Sequence, residues 1–193
     1  MNQIILASGS PRRKQLLELA EISFEVIVST TDESYPSLLS PSEIAMYIAQ
    51  NKSGDVQRSL STKSDSHAPI IIGADTIVVL EGAIIGKPTD RENAICILSQ
   101  LSGKVHQVIT GVSIISGAKE RLFAEETSVE FHPLTTSQIE YYVDNYKPYD
   151  KAGAYAIQEW IGAIGIKSIN GDFYNVMGLP VSRVARELIL MAR

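Results

Sequence analysis

The chain has 193 residues, of which 45% are hydrophobic and 20% are charged, and its formal net charge is −5. This composition is typical of a globular domain, and the acidic balance argues against a general nucleic-acid-binding surface. The single cysteine, Cys96, excludes an internal disulfide and favours a reducing, cytoplasmic setting. The first residues lack the features of a signal peptide and no apolar run is long enough to span a membrane, so we expect no membrane partner.

Apolar periodicity predicts alternating strands and helices along the chain. Strands are predicted at residues 3–8, 22–29, 70–80, 83–88, 104–117, 119–134 and 162–176. Helices are predicted at residues 12–20, 40–60, 89–103, 135–146 and 179–193, with a polar loop at 61–69. We therefore expect one α/β domain over residues 1–193, with a mixed sheet flanked by helices; an elongated sheet of this kind could carry two lobes around a cleft.

Turn and cap residues mark the ends of these elements. Ser10 is expected to cap the first helix, with Pro11 at its first position. Glu81-Gly82 predicts a tight turn between two strands. Near the C-terminus, Gly171 follows an asparagine in a pattern that predicts a strand hairpin.

Side-chain patterns give further expectations about burial. Phe24, Val26 and Val28 are expected to share one face of the second strand. Cys96 lies within a helical pattern and is expected in the core rather than as a nucleophile. The three histidines have no metal-ligand spacing and are expected to lie at the surface or to bond to a neighbouring group: His67, His106 and His132.

The first candidate site lies where the first strand meets the first helix. Residues 8–13 combine a glycine, the hydroxyl of Ser8 and the guanidinium groups of Arg12 and Arg13. Helix N-termini favour anions, and arginine binds phosphate through paired N–H groups. The pattern indicates a phosphate site, and the alternative is a capped helix whose arginines are solvated.

The second candidate is Asp75, which is expected to follow a buried strand with open space at Gly73 and Ala74. A carboxylate in such a place needs water, a charged partner or a metal, and it can take a proton from water. Lys87 ends the neighbouring predicted strand and is a candidate phosphate contact. A turn-forming aspartate and a solvated lysine are the alternatives.

The third candidate is the stretch 146–180, rich in glycine, tyrosine and small residues. Gly153 permits close approach of a ligand to the backbone, and the amide of Gln158 can read the edge of a base. The alternative is a glycine-rich region with tyrosines in the core or at its rim.

Residues 6–17, 73–88, 150–158 and 169–180 resemble, in order and spacing, the signatures of the Maf family of nucleoside triphosphate pyrophosphatases. The resemblance covers nearly the whole chain. It implies an elongated mixed sheet with a central cleft, similar to inosine triphosphate pyrophosphatases, and a homodimer. The implied reaction converts a nucleoside triphosphate and water to a monophosphate and pyrophosphate, with Mg²⁺ or Mn²⁺.

The resemblance also implies roles for single residues. It makes Asp75 the general base and, together with Glu33, a metal ligand. The implied phosphate-binding residues are Ser8, Arg12, Arg13, Lys52 and Lys87.

Base preference is implied by two short motifs. The subfamily acting on dTTP and UTP is similar in its Gly-Ala-Asp-Thr and Ala-Ile-Gln, which makes Thr76, Gln158 and Arg12 specificity residues. A sister subfamily for methylated guanine nucleotides instead carries Asp-Gln and a glutamate. Glu159-Trp160 departs from the commoner glycine after Ala-Ile-Gln. A nucleotide-binding regulator of cell division with little catalysis is the alternative function.

Overall fold

The computed structural model describes residues 3–60 and 68–191, so His67 and residues 61–67 of the predicted loop lie outside the described residues. The strands are β1 (Ile4–Leu6), β2 (Glu25–Val26), β3 (Ile70–Leu80), β4 (Ala83–Ile85), β5 (Val105–Ser116), β6 (Lys119–Phe131) and β7 (Ile166–Asn170). The helices are α1 (Pro11–Leu19), α2 (Pro41–Leu60), α3 (Arg91–Leu101), α4 (Thr136–Tyr146), α5 (Trp160–Gly165), α6 (Phe173–Met177) and α7 (Val181–Met191). The predicted order of elements is confirmed from β1 to α4.

Within the described residues, seven strands form one mixed sheet in the order β2-β1-β3-β5-β6-β7, with β4 paired to β3. β1 is parallel to β2 and β3, whereas β4 is antiparallel to β3 and β7 is antiparallel to β6. β3 is buried along nearly its whole length, as its apolar pattern predicts. Glu81 and Gly82 both have positive φ and form the tight turn between β3 and β4.

The chain divides into two compact units. The first contains the described residues of Met1–Asp75, Thr110–Glu125 and Gly178–Arg193, and the second contains Thr76–Ile109 and Glu126–Met177. The core of the first unit includes Ile5, Ala7, Val56, Ile71 and Ile115. The second unit has a larger cluster that includes Leu98, Phe131, Tyr142, Tyr155 and Ile161.

Helix α2 approaches the sheet at two glycines. A Cβ atom on Gly73 would lie 2.2 Å from the carbonyl oxygen of Ala49, and one on Gly111 would lie 2.2 Å from the carbonyl carbon of Ala45. The open space predicted at Gly73 is therefore wrong, because the α2 backbone fills it. Asp75 lies within β3, as the strand predicted at 70–80 implies, and does not follow the end of a strand. This close packing holds the middle of α2 against the strand that carries Asp75.

The second predicted strand is reduced to two residues. Ile27 packs against the core of the first unit, whereas Val28 is 58% exposed. The alternation therefore breaks after Val26, and the prediction that Phe24, Val26 and Val28 share a face is wrong. Burying Ile27 is the stronger requirement because the sheet core lies beside it.

The predicted hairpin at residues 162–176 is also wrong. This region contains α5, β7 and α6 in succession, and β7 pairs with β6. A Cβ atom on Gly162 would lie 1.7 Å from the carbonyl oxygen of Ile157, so this glycine permits α5 to pack on the preceding turn. Short apolar runs with glycines fit either a strand or a helix, and here packing decides.

Cys96 is exposed, which corrects the prediction that it lies in the core. Helix α3 buries the face formed by Ala94, Ile97, Leu98 and Leu101, and Cys96 lies on the other side. Among the described helices, none combines the length and apolar character required to cross a membrane.

Candidate active site

The junction between β1 and α1 is organised by Arg13. Its side chain is buried, and its Nε donates to the carbonyl oxygen of Gly178 at 2.8 Å. Its Nη1 donates to the hydroxyl of Ser8 at 3.0 Å. The Ser8 oxygen also accepts from the Ser10 N–H at 3.3 Å, which leaves the Ser8 proton as the donor available for a ligand.

The N-terminus of α1 differs from the predicted cap. Pro11 is the first helical residue as expected, but the Ser10 side chain makes no capping hydrogen bond. The first turn contains no acidic residue and carries Arg12 and Arg13. Cations at a helix N-terminus are unfavourable unless an anion is near, so the junction is suited to bind phosphate.

Asp75 lies in β3 and is paired with a lysine of α2. Lys52 Nζ is 2.7 Å from Asp75 Oδ1 and 2.8 Å from Glu33 Oε1. The Asp75 and Lys52 side chains are only 11% and 13% exposed, so their charges are largely desolvated and need each other. Asp75 Oδ2 remains as the oxygen that can take a proton or bind a cation.

The segment that carries Glu33 is tied to α2 one turn after Lys52. Asp55 Oδ2 accepts from the Thr30 N–H at 2.9 Å and from the Ser29 hydroxyl at 3.0 Å. These hydrogen bonds lower the pKa of Asp55, and the bond from the Thr30 N–H has the largest effect. Helix α2 therefore holds this segment at two points, although the Glu33 side chain is 48% exposed.

The charges around Arg13 form one electrostatic group. Burial, and to a lesser extent the charge of Arg12, lower the pKa of Arg13. The carboxylates of Asp75 and Glu33 raise it, but the net shift is downward. Arginine nevertheless stays protonated at neutral pH. The structure thus brings together the predicted residues of the first unit: Ser8, Arg12, Arg13, Glu33, Lys52 and Asp75.

The donor set is compatible with a hard divalent cation only if a substrate contributes ligands. No cluster of three or more His, Cys, Asp or Glu residues in ranges 3–60 and 68–191 could hold a metal. Asp75 and Glu33 do, however, contact the same ammonium group, so their carboxylates converge on one cation. Mg²⁺ is commonly held by one or two carboxylates together with substrate phosphates, and this pair fits that pattern.

The remaining predicted site residues belong to the second unit. Thr76 is half-buried in β3. Lys87 is exposed and lies two residues after the end of β4. The last paired residue of β4, Ile85, lies opposite Val78 of β3. The pairing of β4 with Asp75's strand is as predicted. Gln158 is exposed in the turn that precedes α5.

Sequence reasoning missed the polar contacts beneath Gln158. Tyr142 donates its hydroxyl hydrogen to Glu159 Oε2 and accepts from the Ala156 N–H at 3.1 Å. Lys151 Nζ lies 3.6 Å from Glu159 Oε1. The departure from the family motif at Glu159 was the available signal, but its partner on α4 could not be read from the sequence.

Gly153 allows close packing against β3, and the approach of a ligand to its backbone stays a prediction. Its φ is +70°, and an added Cβ atom would lie 2.9 Å from Val78 Cγ2. The glycine therefore lets the chain turn tightly against β3.

The two described histidines are outside the site's chemistry. His106 is buried and its Nε2 lies 2.7 Å from the Tyr155 hydroxyl, whereas His132 is exposed. Both placements agree with the prediction. Burial lowers the pKa of His106 to about 4, so the ring is neutral at physiological pH.

The chain is similar to several known proteins. A dTTP/UTP pyrophosphatase of Cytophaga hutchinsonii is 52% identical over 96% of this chain and 82% of its own. Proteins of the same name from Parabacteroides distasonis and Bacillus cereus are 50% and 48% identical, covering 96% and 97% of this chain and 94% and 95% of their own. The family model described as Maf-like protein matches residues 3–191. The chain therefore belongs to the Maf family.

Proposed function

We propose that this protein is a nucleoside triphosphate pyrophosphatase that hydrolyses dTTP and UTP to the monophosphate and pyrophosphate. The observation that carries the proposal is the buried Asp75–Lys52 pair, with Glu33 on the same ammonium group and two arginines nearby. The names of the relatives, at about half identity, support the same reaction and substrates.

The triphosphate is held by cations and hydroxyl groups. Ser8 offers its proton, and Arg12 and Arg13 supply positive charge at the N-terminus of α1. Arg13 is held by its bonds to Ser8 and Gly178, so its guanidinium group is oriented before substrate binds. Lys52 and Lys87 add further charge, which offsets the negative charge that accumulates on the leaving pyrophosphate.

Asp75 acts as the general base. It takes a proton from a water molecule whose oxygen forms a bond to the α-phosphorus, while the bond from that phosphorus to the bridging oxygen of the β-phosphate breaks. The electron pair of the broken bond leaves with pyrophosphate. Lys52 holds Asp75 in place through the 2.7 Å ion pair, because a buried carboxylate without a cation is unstable.

Asp75 and Glu33 would also hold Mg²⁺ or Mn²⁺ together with phosphate oxygens. When bound, this cation supplies charge neutralisation and makes water more acidic. Lys52 contacts both carboxylates and limits their mutual repulsion while no metal is bound.

Thr76, Gln158 and Arg12 select the base. Thymine and uracil present one N–H between two carbonyl groups, and the Gln158 amide can both donate and accept hydrogen bonds. Thr76 follows Asp75 in β3, where successive side chains point to opposite faces of the sheet, and its role in base selection rests on the family resemblance.

We further propose a cytoplasmic homodimer. The family resemblance supports the dimer, and the lone cysteine, which excludes an internal disulfide, is compatible with a reducing compartment. Light scattering of the purified chain would give the mass of the particle. We expect twice the 21.1 kDa of one chain, and the mass of one chain would reject the dimer.

The function is tested by pyrophosphate release from all common nucleoside triphosphates, with and without Mg²⁺ or Mn²⁺. We expect dTTP and UTP to be the best substrates and the activity to need the metal. Binding of these nucleotides without pyrophosphate release would instead identify a nucleotide-binding regulator. Uniform inactivity and no binding would reject both functions.

A further inference from the structure

The turn that carries Gln158 is held by its two ends. Tyr142 is fully buried in α4, and its hydroxyl accepts a hydrogen bond from the Ala156 N–H at 3.1 Å. The same hydroxyl donates to Glu159 Oε2. A single phenol oxygen therefore joins the first and last residues of the turn Ala156–Glu159.

The backbone of this turn is restrained as well. The Glu159 N–H donates to the Ala156 carbonyl oxygen at 3.1 Å. Gly162 of α5 packs directly on the carbonyl oxygen of Ile157, at a distance that no side chain would permit. Gln158, in contrast, is exposed. A hydrogen-bonded turn therefore presents one exposed polar side chain to the solvent.

Charge fixes the orientation of the Glu159 carboxylate. The Lys151 side chain is 9% exposed, and its Nζ lies 2.8 Å from Asp150 Oδ1 and 3.6 Å from Glu159 Oε1. One Glu159 oxygen thus faces an ammonium group and the other faces the Tyr142 hydroxyl. A carboxylate contacted on both oxygens by buried partners has one preferred orientation.

We propose that Tyr142 and Glu159 are positioning residues that fix the Gln158 amide for recognition of a pyrimidine base. This inference rests on the proposed function, in which Gln158 contacts the base. An amide discriminates between bases through one donor and one acceptor, so rotation of the turn misplaces both. Loss of the restraint therefore weakens the choice of base more than it weakens hydrolysis.

The main test is Tyr142→Phe, which removes the hydroxyl and keeps the ring in the core. We expect the ratio of kcat/KM for dTTP to that for dCTP to fall about tenfold, mainly through a higher KM for dTTP. Tyr141→Phe is the matched control. It removes a hydroxyl from the adjacent, exposed residue and keeps the ring contact with Trp160, so the ratio should not change.

A second variant keeps the test possible if Tyr142→Phe does not fold. Glu159→Gln alters a residue that is only partly buried, and its single amide oxygen can accept from Tyr142 or face Lys151 but not both. It should lower the same ratio. Hydrogen exchange of amides 156–159 should be faster in Tyr142→Phe than in Tyr141→Phe, because the restraint is lost only in the first.

The link to Gln158 is tested in the Gln158→Ala background. There, Tyr142→Phe should cause no further loss of base discrimination. An equal loss with and without Gln158, or an unchanged ratio in both Tyr142→Phe and Glu159→Gln, would overturn the inference while leaving pyrophosphatase activity established. Absence of pyrophosphate release by the wild-type chain would instead reject the proposed function, and with it this role for the turn.

Discussion

Lys52 connects two carboxylates that come from distant parts of the sequence. Its ammonium group lies within 3 Å of an oxygen of Glu33 and of Asp75, with distances of 2.8 Å and 2.7 Å. Taking a carboxylate from water into a partly buried site costs several kcal/mol without such a partner. The lysine therefore offsets the cost of burying the Asp75 carboxylate, which the proposed mechanism uses as the general base.

Asp75→Asn tests this role directly. The amide keeps the size of the side chain and can accept a hydrogen bond from Lys52, but it cannot take a proton from water. We expect turnover of dTTP to fall by about 10²-fold or more while nucleotide binding remains measurable by calorimetry. Asp144→Asn is the control, because that carboxylate pairs with Arg91 at the surface. Near-normal turnover in Asp75→Asn would exclude Asp75 as the base.

His106 makes folding stability depend on pH. The buried ring has a pKa of about 4, against 6.5 for an ordinary histidine. Between these values the unfolded chain binds more protons than the folded chain, so this contribution to stability is present above about pH 6.5 and is lost as pH falls toward 4.

His106→Gln removes the titration and leaves an amide that can bond to the Tyr155 hydroxyl. Urea unfolding should show that wild type loses about 2 kcal/mol more than this variant between pH values near 7.5 and 5. Equal losses in the two proteins would mean that His106 is protonated in the folded state.

At the scale of elements, helix α2 is placed by glycines in the sheet. Gly73 in β3 and Gly111 in β5 leave no side chain between strand and helix, so the helix backbone contacts the strands directly. The buried hydroxyls of Ser53 and Ser113 add a hydrogen bond of 2.8 Å across the same contact. This packing sets the height of Lys52 above Asp75.

Gly73→Ala should therefore disturb both stability and catalysis. The added methyl group meets the carbonyl oxygen of Ala49 and must displace α2, at a cost of about 1–3 kcal/mol in the free energy of unfolding. Gly86→Ala is the matched control, because a Cβ atom there has no neighbour within 4 Å among the described residues. Chemical unfolding of both variants measures the difference, and equal stabilities would contradict the packing argument.

Elements with strong local signals could be predicted from the sequence. The tight turn at Glu81 and the apolar β3 strand both depend on neighbouring residues. The short β2 strand and the α5–β7–α6 region could not, because their conformations depend on packing against residues far along the chain. The side of α3 that faces solvent likewise depends on its tertiary partners, which explains the error at Cys96.

For the whole molecule, the residues of the candidate site followed from resemblance and chemistry, but their contacts did not. The sequence identifies Lys52 and Glu33 as members of a family pattern. The structure adds that the Lys52 ammonium group contacts the carboxylates of both Glu33 and Asp75. The departure at Glu159 was visible in the sequence, but its contact with Tyr142 was not, since the two residues lie on different elements. Family membership, which the comparisons establish, extends over residues 3–191.

The most direct test of the account is hydrolysis of dTTP by the purified chain in ¹⁸O-labelled water, with products analysed by mass spectrometry. Attack of water on the α-phosphorus predicts dTMP that carries one labelled oxygen and pyrophosphate that carries none. Formation of dTDP and labelled orthophosphate, label in pyrophosphate, or no hydrolysis would contradict the proposed reaction.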